Sequence, residues 1–230
     1  MIKYFVLILF ISVNLHSQNF KEVNNAQDVI DNHIAAIGGR DALDKIESVK
    51  MKGIIGEGES SGSLDIYFSD RYLYMDMNMM IFAFKMAYDK QKNKGWRKFG
   101  NKVDDLSKDE LEANKRNTEG SMWKFYLNPS AYGITFEMLQ NELIDSTDCY
   151  VIEVKKDNDV YSTEYFNREN FFKLREIKGG MVTDYSDYRR IENSDIIMPF
   201  NIKSQAGDVK LTEIKFNTKI DKNLLKKPKE

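Results

Sequence analysis

Gly62-Ser63-Leu64-Asp65-Ile66-Tyr67-Phe68-Ser69-Asp70-Arg71-Tyr72-Leu73-Tyr74-Met75-Asp76 is the stretch that decides the fold. Leu64, Ile66 and Phe68 alternate with Ser63, Asp65 and Tyr67, the period of a strand with one wet face. Asp70-Arg71 turns the chain, and 72–76 opens the next strand. Upstream, Val49, Met51 and Gly53 alternate in the same way, and Gly56, Gly58 and Gly62 mark the turn between the two runs. Downstream, 84–88 and 96–99 read as strands on either side of a polar turn at 90–95.

The second half of the chain repeats this texture. Strands are predicted over 142–146, 150–155, 161–167, 172–178, 181–191, 197–204 and 210–220, with a return to strand beginning at Thr135. The punctuation between them is Asp157-Asn158-Asp159, Arg168-Glu169-Asn170, Gly179-Gly180, Glu192-Asn193-Ser194-Asp195 and Ala206-Gly207-Asp208. Spacers this short favour consecutive antiparallel hairpins, and the lack of βαβ alternation disfavours a parallel α/β fold. Helices are expected in two places. Over 26–46, Val29, Ile30, His33, Ile34 and Ile37 recur at helical spacing; Gly38-Gly39 interrupts them, and Asp41 is expected to cap a second short helix with Leu43 and Ile46. Over 107–115, Ser107 and Glu110 form a capping box; 121–127 continues as a further helical turn that Pro129 ends. The fold class is therefore mainly β (α+β). Roughly ten strands form one antiparallel sheet large enough to curl into an incomplete barrel, covered by an N-terminal helix and a mid-chain helical lid.

The chain has 230 residues and no Pro/Gly/Ser-rich linker, so one domain is expected over 19–230. Residues 1–18 have the build of a signal peptide: Lys3 in a short leading region, an apolar run from Tyr4 to Leu15, then His16-Ser17-Gln18. Cleavage is expected after Ser17 or Gln18. The product is expected in the periplasm of a Gram-negative envelope or secreted, as a monomer with no spanning segment. The formal charge of −2 becomes −3 when Lys3 leaves with the leader. The C-terminal Lys222, Lys226, Lys227 and Lys229 lack interleaved aromatics and read as a solvated tail rather than a nucleic-acid patch.

No catalytic constellation stands out. The lone cysteine, Cys149, excludes an intrachain disulfide and reads as a small buried residue. His33 is the only histidine after the leader, which argues against His-rich zinc chemistry and a Ser/His/Asp triad. It lies on an apolar helical stripe and reads as a structural, partly buried histidine. Asp184, Asp187 and Glu192 read as a solvated strand face, with Asp187 pairing to Arg189 or Arg190. No metal, cofactor or enzymatic activity is expected.

The run from Leu73 to Met86 departs from a bland surface. A hairpin tip is normally polar, yet this one reads Asn78-Met79-Met80-Ile81-Phe82. Unbranched, polarizable methionines suit ligands of varied shape. The candidate ligand-binding residues are therefore Tyr74, Met75, Met77, Met79, Met80, Phe82, Phe84 and Met86, joined by Trp96 and by Met122 and Trp123 of the helical insertion. Core packing beneath the helices is the plainer account of the same residues.

Several motifs, taken in order, resemble the periplasmic lipoprotein-carrier family (LolA-like, with the related LolB-like and mycobacterial lipid-carrier proteins). They are the N-terminal helix leading through Ile46-Glu47-Ser48-Val49-Lys50-Met51-Lys52-Gly53, then Gly62 to Phe68 with Arg71-Tyr72-Leu73-Tyr74-Met75. Ala87-Tyr88-Asp89 to Gly95-Trp96 is similar to the family's Asp-Gly…Trp turn, with Lys90 in place of Gly. Phe172 to Ile177, Tyr185-Ser186-Asp187-Tyr188 and Pro199-Phe200 follow. The resemblance implies an apolar cavity for an acyl chain and a lid-bonding arginine near Arg71, one or two positions offset. It implies a soluble carrier of lipid or acylated lipoprotein that works with inner- or outer-membrane envelope proteins. The alternative is a non-enzymatic docking or structural module on the same fold.

Overall fold

The computed structural model describes residues 20–80, 82–118, 123–205 and 207–229. The leader, Ile81 and Met122 therefore lie outside the described residues. Fourteen strands form one sheet, β1(Ser48–Ile55) β2(Gly62–Ser69) β3(Tyr72–Met79) β4(Phe82–Asp89) β5(Lys94–Phe99) β6(Lys102–Asp105) β7(Ile134–Met138) β8(Glu142–Ile144) β9(Thr147–Lys156) β10(Asp159–Asn167) β11(Lys173–Lys178) β12(Met181–Arg190) β13(Ile197–Ser204) β14(Val209–Phe216). Their spatial order is β6-β5-β4-β3-β2-β1-β14-β13-β12-β11-β10-β9-β7, with β8 also on β9. Every described pairing is antiparallel. The curved sheet does not close into a barrel.

Two meanders thus meet at one seam, where β1 pairs with β14. The seam carries a bulge between Lys52 and Gly53, and a Cβ on Gly53 would come within 2.6 Å of the Lys210 carbonyl oxygen. Only glycine lets β14 approach that closely. The strand that the sequence does not announce is β6. β6 is four residues, Lys-Val-Asp-Asp, with a single apolar residue to show a period.

Among the described residues four α-helices accompany the sheet: α1(Ala26–Ala36), α2(Arg40–Asp44), α3(Lys108–Thr118) and α4(Lys124–Leu127). Asn25 caps α1 in a capping box with Asp28, which satisfies two backbone N–H groups that the first turn leaves open. Gly38 and Gly39, at φ 130° and 86°, end it. A Cβ on Gly38 would sit 3.0 Å from the backbone of Ile196, so glycine also lets the helix end rest on the start of β13. The N-cap of α2 is Gly39 rather than Asp41, which lies in its first turn. Ser107 and Glu110 form the expected box at the start of α3, with Ser107 N–H donating to Glu110 Oε2 at 2.8 Å. Glu110 also pairs with Arg97, tying α3 to β5.

α1, α2 and α4 cover one face of the sheet. Val29, Ile30, Ile34 and Leu43 share a buried cluster with Val49, Ile152, Val154, Phe166, Leu211 and Ile214. Trp123 closes this cluster from α4's N-terminal side; its Nε1 donates to the Leu43 carbonyl at 2.9 Å. On the opposite face Tyr67, Tyr74, Ala87, Trp96 and Val103 form a smaller cluster, against which Ile220 and Leu225 of the C-terminal segment pack. Cys149 is buried in a third cluster with Val151 and Tyr165, and burial pushes its thiol pKa up. His33 is buried too, its Nδ1 2.8 Å from the Phe171 carbonyl oxygen.

Candidate apolar binding face

Residues paired across an antiparallel ladder share a face. Starting from Val49, which the helices cover, the register links Phe68, Leu73 and Tyr88 in one row and Met51, Ile66, Met75 and Met86 in the next. Two further rows follow toward the β3–β4 tip: Gly53, Leu64, Met77 and Phe84, then Ile55, Gly62, Met79 and Phe82. Across β1 to β4 this face holds no charged side chain. The opposite face of the same strands is laced with ion pairs: Lys50 with Asp65 at 3.7 Å, Lys85 with Asp76 at 2.6 Å, and Lys52 with Glu213 at 3.8 Å.

The cluster packed beneath α1, α2 and α4 takes in only part of the apolar face. Met51 packs against the helix-capped cluster, but Met75, Met77, Met79, Phe82, Phe84 and Met86 do not belong to it and are all half-buried. Phe82 stacks near Phe84 at 6.3 Å and meets Phe99 edge-on at 5.1 Å. Phe99 is 60% exposed, so the apolar surface runs out to the rim at β5. Beneath the helices the packing is tight. Val29, Ile30, Leu43, Ile152, Val154 and Phe166 are fully buried, and the void beside Trp123 measures only about 10 Å³. Among the described residues the methionine-phenylalanine half is the part of this face that lies outside the helix-packed cluster.

The structure thus brings together six of the sequence-derived candidates, Met75, Met77, Met79, Phe82, Phe84 and Met86, and separates the rest. Met80 sits at the hairpin tip and is 77% exposed. Tyr74 and Trp96 fall on the opposite face, because Tyr74 pairs with Tyr67 and Ala87, and Ala87 with Trp96. There they are buried under the C-terminal segment, with Trp96 Nε1 donating to the Leu225 carbonyl at 3.0 Å. Trp123 is core. Met122 lies outside the described residues. Arg71 pairs with Asp89 at 3.4 Å, while its neighbour Asp70 makes the helix contact, accepting from Lys124 Nζ of α4 at 2.6 Å.

Beside the helix-capped cluster lies a polar knot absent from the sequence reading. Tyr126 of α4 donates to Glu164 Oε2 at 2.5 Å, and Ser162 Oγ donates to Glu164 Oε1 at 3.3 Å. Lys173 Nζ stands 3.6 Å from Glu164, 2.8 Å from Glu176 and 3.3 Å from the Tyr126 hydroxyl. Tyr185 donates to Glu176 at 3.3 Å. Burial raises the Glu164 pKa against the pull of Lys173. Burial works against the Lys173 ammonium, but Glu164, Tyr126 and Glu176 outweigh it and hold that pKa well above the ordinary value. Glu176 is pressed upward by burial, yet Lys173 keeps it below the usual carboxylate range. Satisfied on every side, these groups form a structural clamp between α4 and β10–β12. Glu164 shares a strand face with Ser162 and Phe166, so a carboxylate amid inward positions is the one sequence signal that marks it. Its partner Lys173 is named by no local pattern.

The expected ion pair of Asp187 forms with Arg189 at 2.6 Å. Among the described residues no group of three or more His, Cys, Asp or Glu side chains is placed to hold a metal ion. No helix among them is long and apolar enough to cross a membrane.

No family model matches the chain, and no curated protein does. Solved structures do. A DUF1329 family protein from Desulfovibrio piger ATCC 29098 superposes with a TM-score of 0.52 over 89% of this chain and 98% of its own, at 10% identity. MucB matches at a TM-score of 0.27 and 10% identity over 88% of this chain and 62% of its own. MucB in complex with MucA(peri) matches at 0.26, 8% identity, 88% and 60%. The two MucB likenesses are too loose to carry weight. The chain shares the architecture of the DUF1329 protein, and at this identity the likeness concerns the fold alone.

Proposed function

We propose that this chain is an exported, non-catalytic carrier that takes the acyl chain of a lipid or lipoprotein on the uncovered half of its helix-capped face. One observation carries the reading. Six methionine and phenylalanine side chains on β3 and β4 share a face that carries no charged side chain across β1 to β4, and stand outside the helix-packed core. The signal-peptide pattern of residues 1–18 and the resemblance to the lipoprotein-carrier family supply the compartment and the cargo class.

The energetics fit a carrier that must release. Each fully buried methylene contributes about 0.8 kcal/mol. A chain lying on an open face buries roughly half of that surface, so about twelve methylenes give ~5 kcal/mol, a sub-millimolar affinity. Tight retention then requires a cover, and handing on requires only that the cover leave. The exposed Met80 and Phe99 at the rim of this face also favour a second reading, in which an apolar segment of an envelope protein docks there instead.

The test is to purify the processed protein from its native host, extract it with organic solvent and identify bound lipid by mass spectrometry. Stoichiometric acylated material supports the carrier. Its absence, with no binding of a fluorescent fatty acid, rejects the carrier and leaves the docking module.

A further inference from the structure

A second cavity, of about 500 Å³, lies at the sheet margin where the C-terminal segment crosses β3 to β5. Its lining includes six cations, Arg71, Lys92, Lys94, Lys222, Lys226 and Lys227. Only two carboxylates, Asp89 and Asp105, face them there. This concentration of positive charge stands out in a protein whose formal charge is −2. Read alone, the C-terminal lysines look like a solvated tail without aromatic company; in the fold, Tyr72 and Trp96 supply the wall.

The tail is held in place. Leu225 packs on the Tyr67–Tyr74–Trp96 cluster and its carbonyl accepts from Trp96 Nε1. Lys227 pairs with Asp105 at 3.0 Å, and backbone bonds from Leu224, Leu225 and Lys226 fold the segment into successive turns. On the opposite wall, Arg71 lies over the Tyr72 ring at 4.8 Å and pairs with Asp89, which also sits 3.9 Å from Lys92. Lys94 and Lys222 have no ion-pair partner among the described residues, so their ammonium groups are free to meet a guest. Arg71, Lys92 and Lys227 are thus tethered at the cavity wall by ion pairs before any ligand arrives, which lowers the ordering cost of binding for those three.

We propose that this cavity is an anion site for a phosphate-bearing group. A phosphate monoester carries close to two negative charges and several strong acceptor oxygens, which suits separate lysines acting as point charges. The volume exceeds what a bare phosphate fills, so a sugar- or polyol-linked phosphate is the matching class. An anionic phosphate joined to a polyol occurs as a nearly doubly charged monoester in a free sugar phosphate and as a singly charged diester in a phosphatidylglycerol headgroup. The site stands apart from the apolar face and does not depend on it.

The experiment titrates the protein with glucose 1-phosphate by calorimetry, following Trp fluorescence in parallel. A second arm uses phosphatidylglycerol vesicles against neutral phosphatidylcholine vesicles. Lys94→Glu and Lys222→Glu are each expected to weaken binding roughly tenfold, the effect of losing one charge-assisted contact. Lys203→Glu makes the same charge change at an exposed position on β13 and is expected to leave binding intact. Saturable glucose 1-phosphate binding assigns a free phosphorylated ligand; binding only to phosphatidylglycerol assigns a headgroup. Absence of saturable binding in both arms, or equal weakening by Lys203→Glu, overturns the site. Lys222→Gln provides the uncharged check should the charge reversal lower stability. Met77→Asp, which would disable the apolar face, is expected to leave glucose 1-phosphate binding unchanged.

Discussion

The Tyr126 hydroxyl donates to Glu164 Oε2 at 2.5 Å, and through that bond α4 is fastened to the middle of β10. Both groups are buried, so neither finds water when the other is removed. Tyr126→Phe is expected to cost about 1.5–3 kcal/mol, the range for a hydrogen bond to a charged group. Lys173→Met should cost more, about 3–5 kcal/mol, because Glu164 and Glu176 then share a buried site without their cation. Urea unfolding measures both. An equal and negligible loss in the two variants would show that the knot does not hold α4.

His33 makes the fold acid-sensitive. Burial, first of all, and the nearby Lys173 ammonium hold its pKa down at about 3, against an ordinary value of 6.5, while the bond to the Phe171 carbonyl works the other way. Between these values the unfolded chain binds a proton that the folded chain refuses. Stability from this residue is therefore full above pH 6.5 and falls as pH drops toward 3, by several kcal/mol in all. His33→Gln is expected to flatten the dependence of the urea midpoint on pH between 6.5 and 4. An unchanged slope would refute the assignment.

Trp96 reports on the C-terminal segment. Leu225→Asp places a charge against the Tyr67–Tyr74–Trp96 cluster and is expected to expose the indole, shift its emission to longer wavelength and cost about 1–2 kcal/mol through loss of a partly buried leucine. Trp123, sealed against Leu43, should be unaffected, so Trp123→Phe in the same background isolates the signal. Emission that stays blue would place the segment elsewhere.

The sheet was legible because alternation survives wherever one face is wet. Ser63, Asp65 and Lys85 flank Leu64, Ile66, Phe84 and Met86, and the strands follow. The capping box at Ser107 was legible for a similar reason, since both partners sit within four residues. Placement of the candidates depended on register, which a single strand does not reveal. Tyr74 lies between Leu73 and Met75, and alternation sends it to the other face; Trp96 follows it through Ala87. The basic cavity and the Glu164–Lys173 knot were hidden because their members are joined by topology. Trp96 and Leu225 are far apart in sequence and meet only because the C-terminal segment crosses the sheet.

The central claim is that hydrocarbon prefers the Met75–Met86 face to water, and titration with a fluorescent fatty acid tests it most directly. The unaltered protein should bind with a blue-shifted, saturable signal. Met77→Asp and Phe84→Asp, side by side across β3 and β4, should each weaken binding about tenfold or more while circular dichroism stays native. Binding that is undiminished in both folded variants would contradict the account.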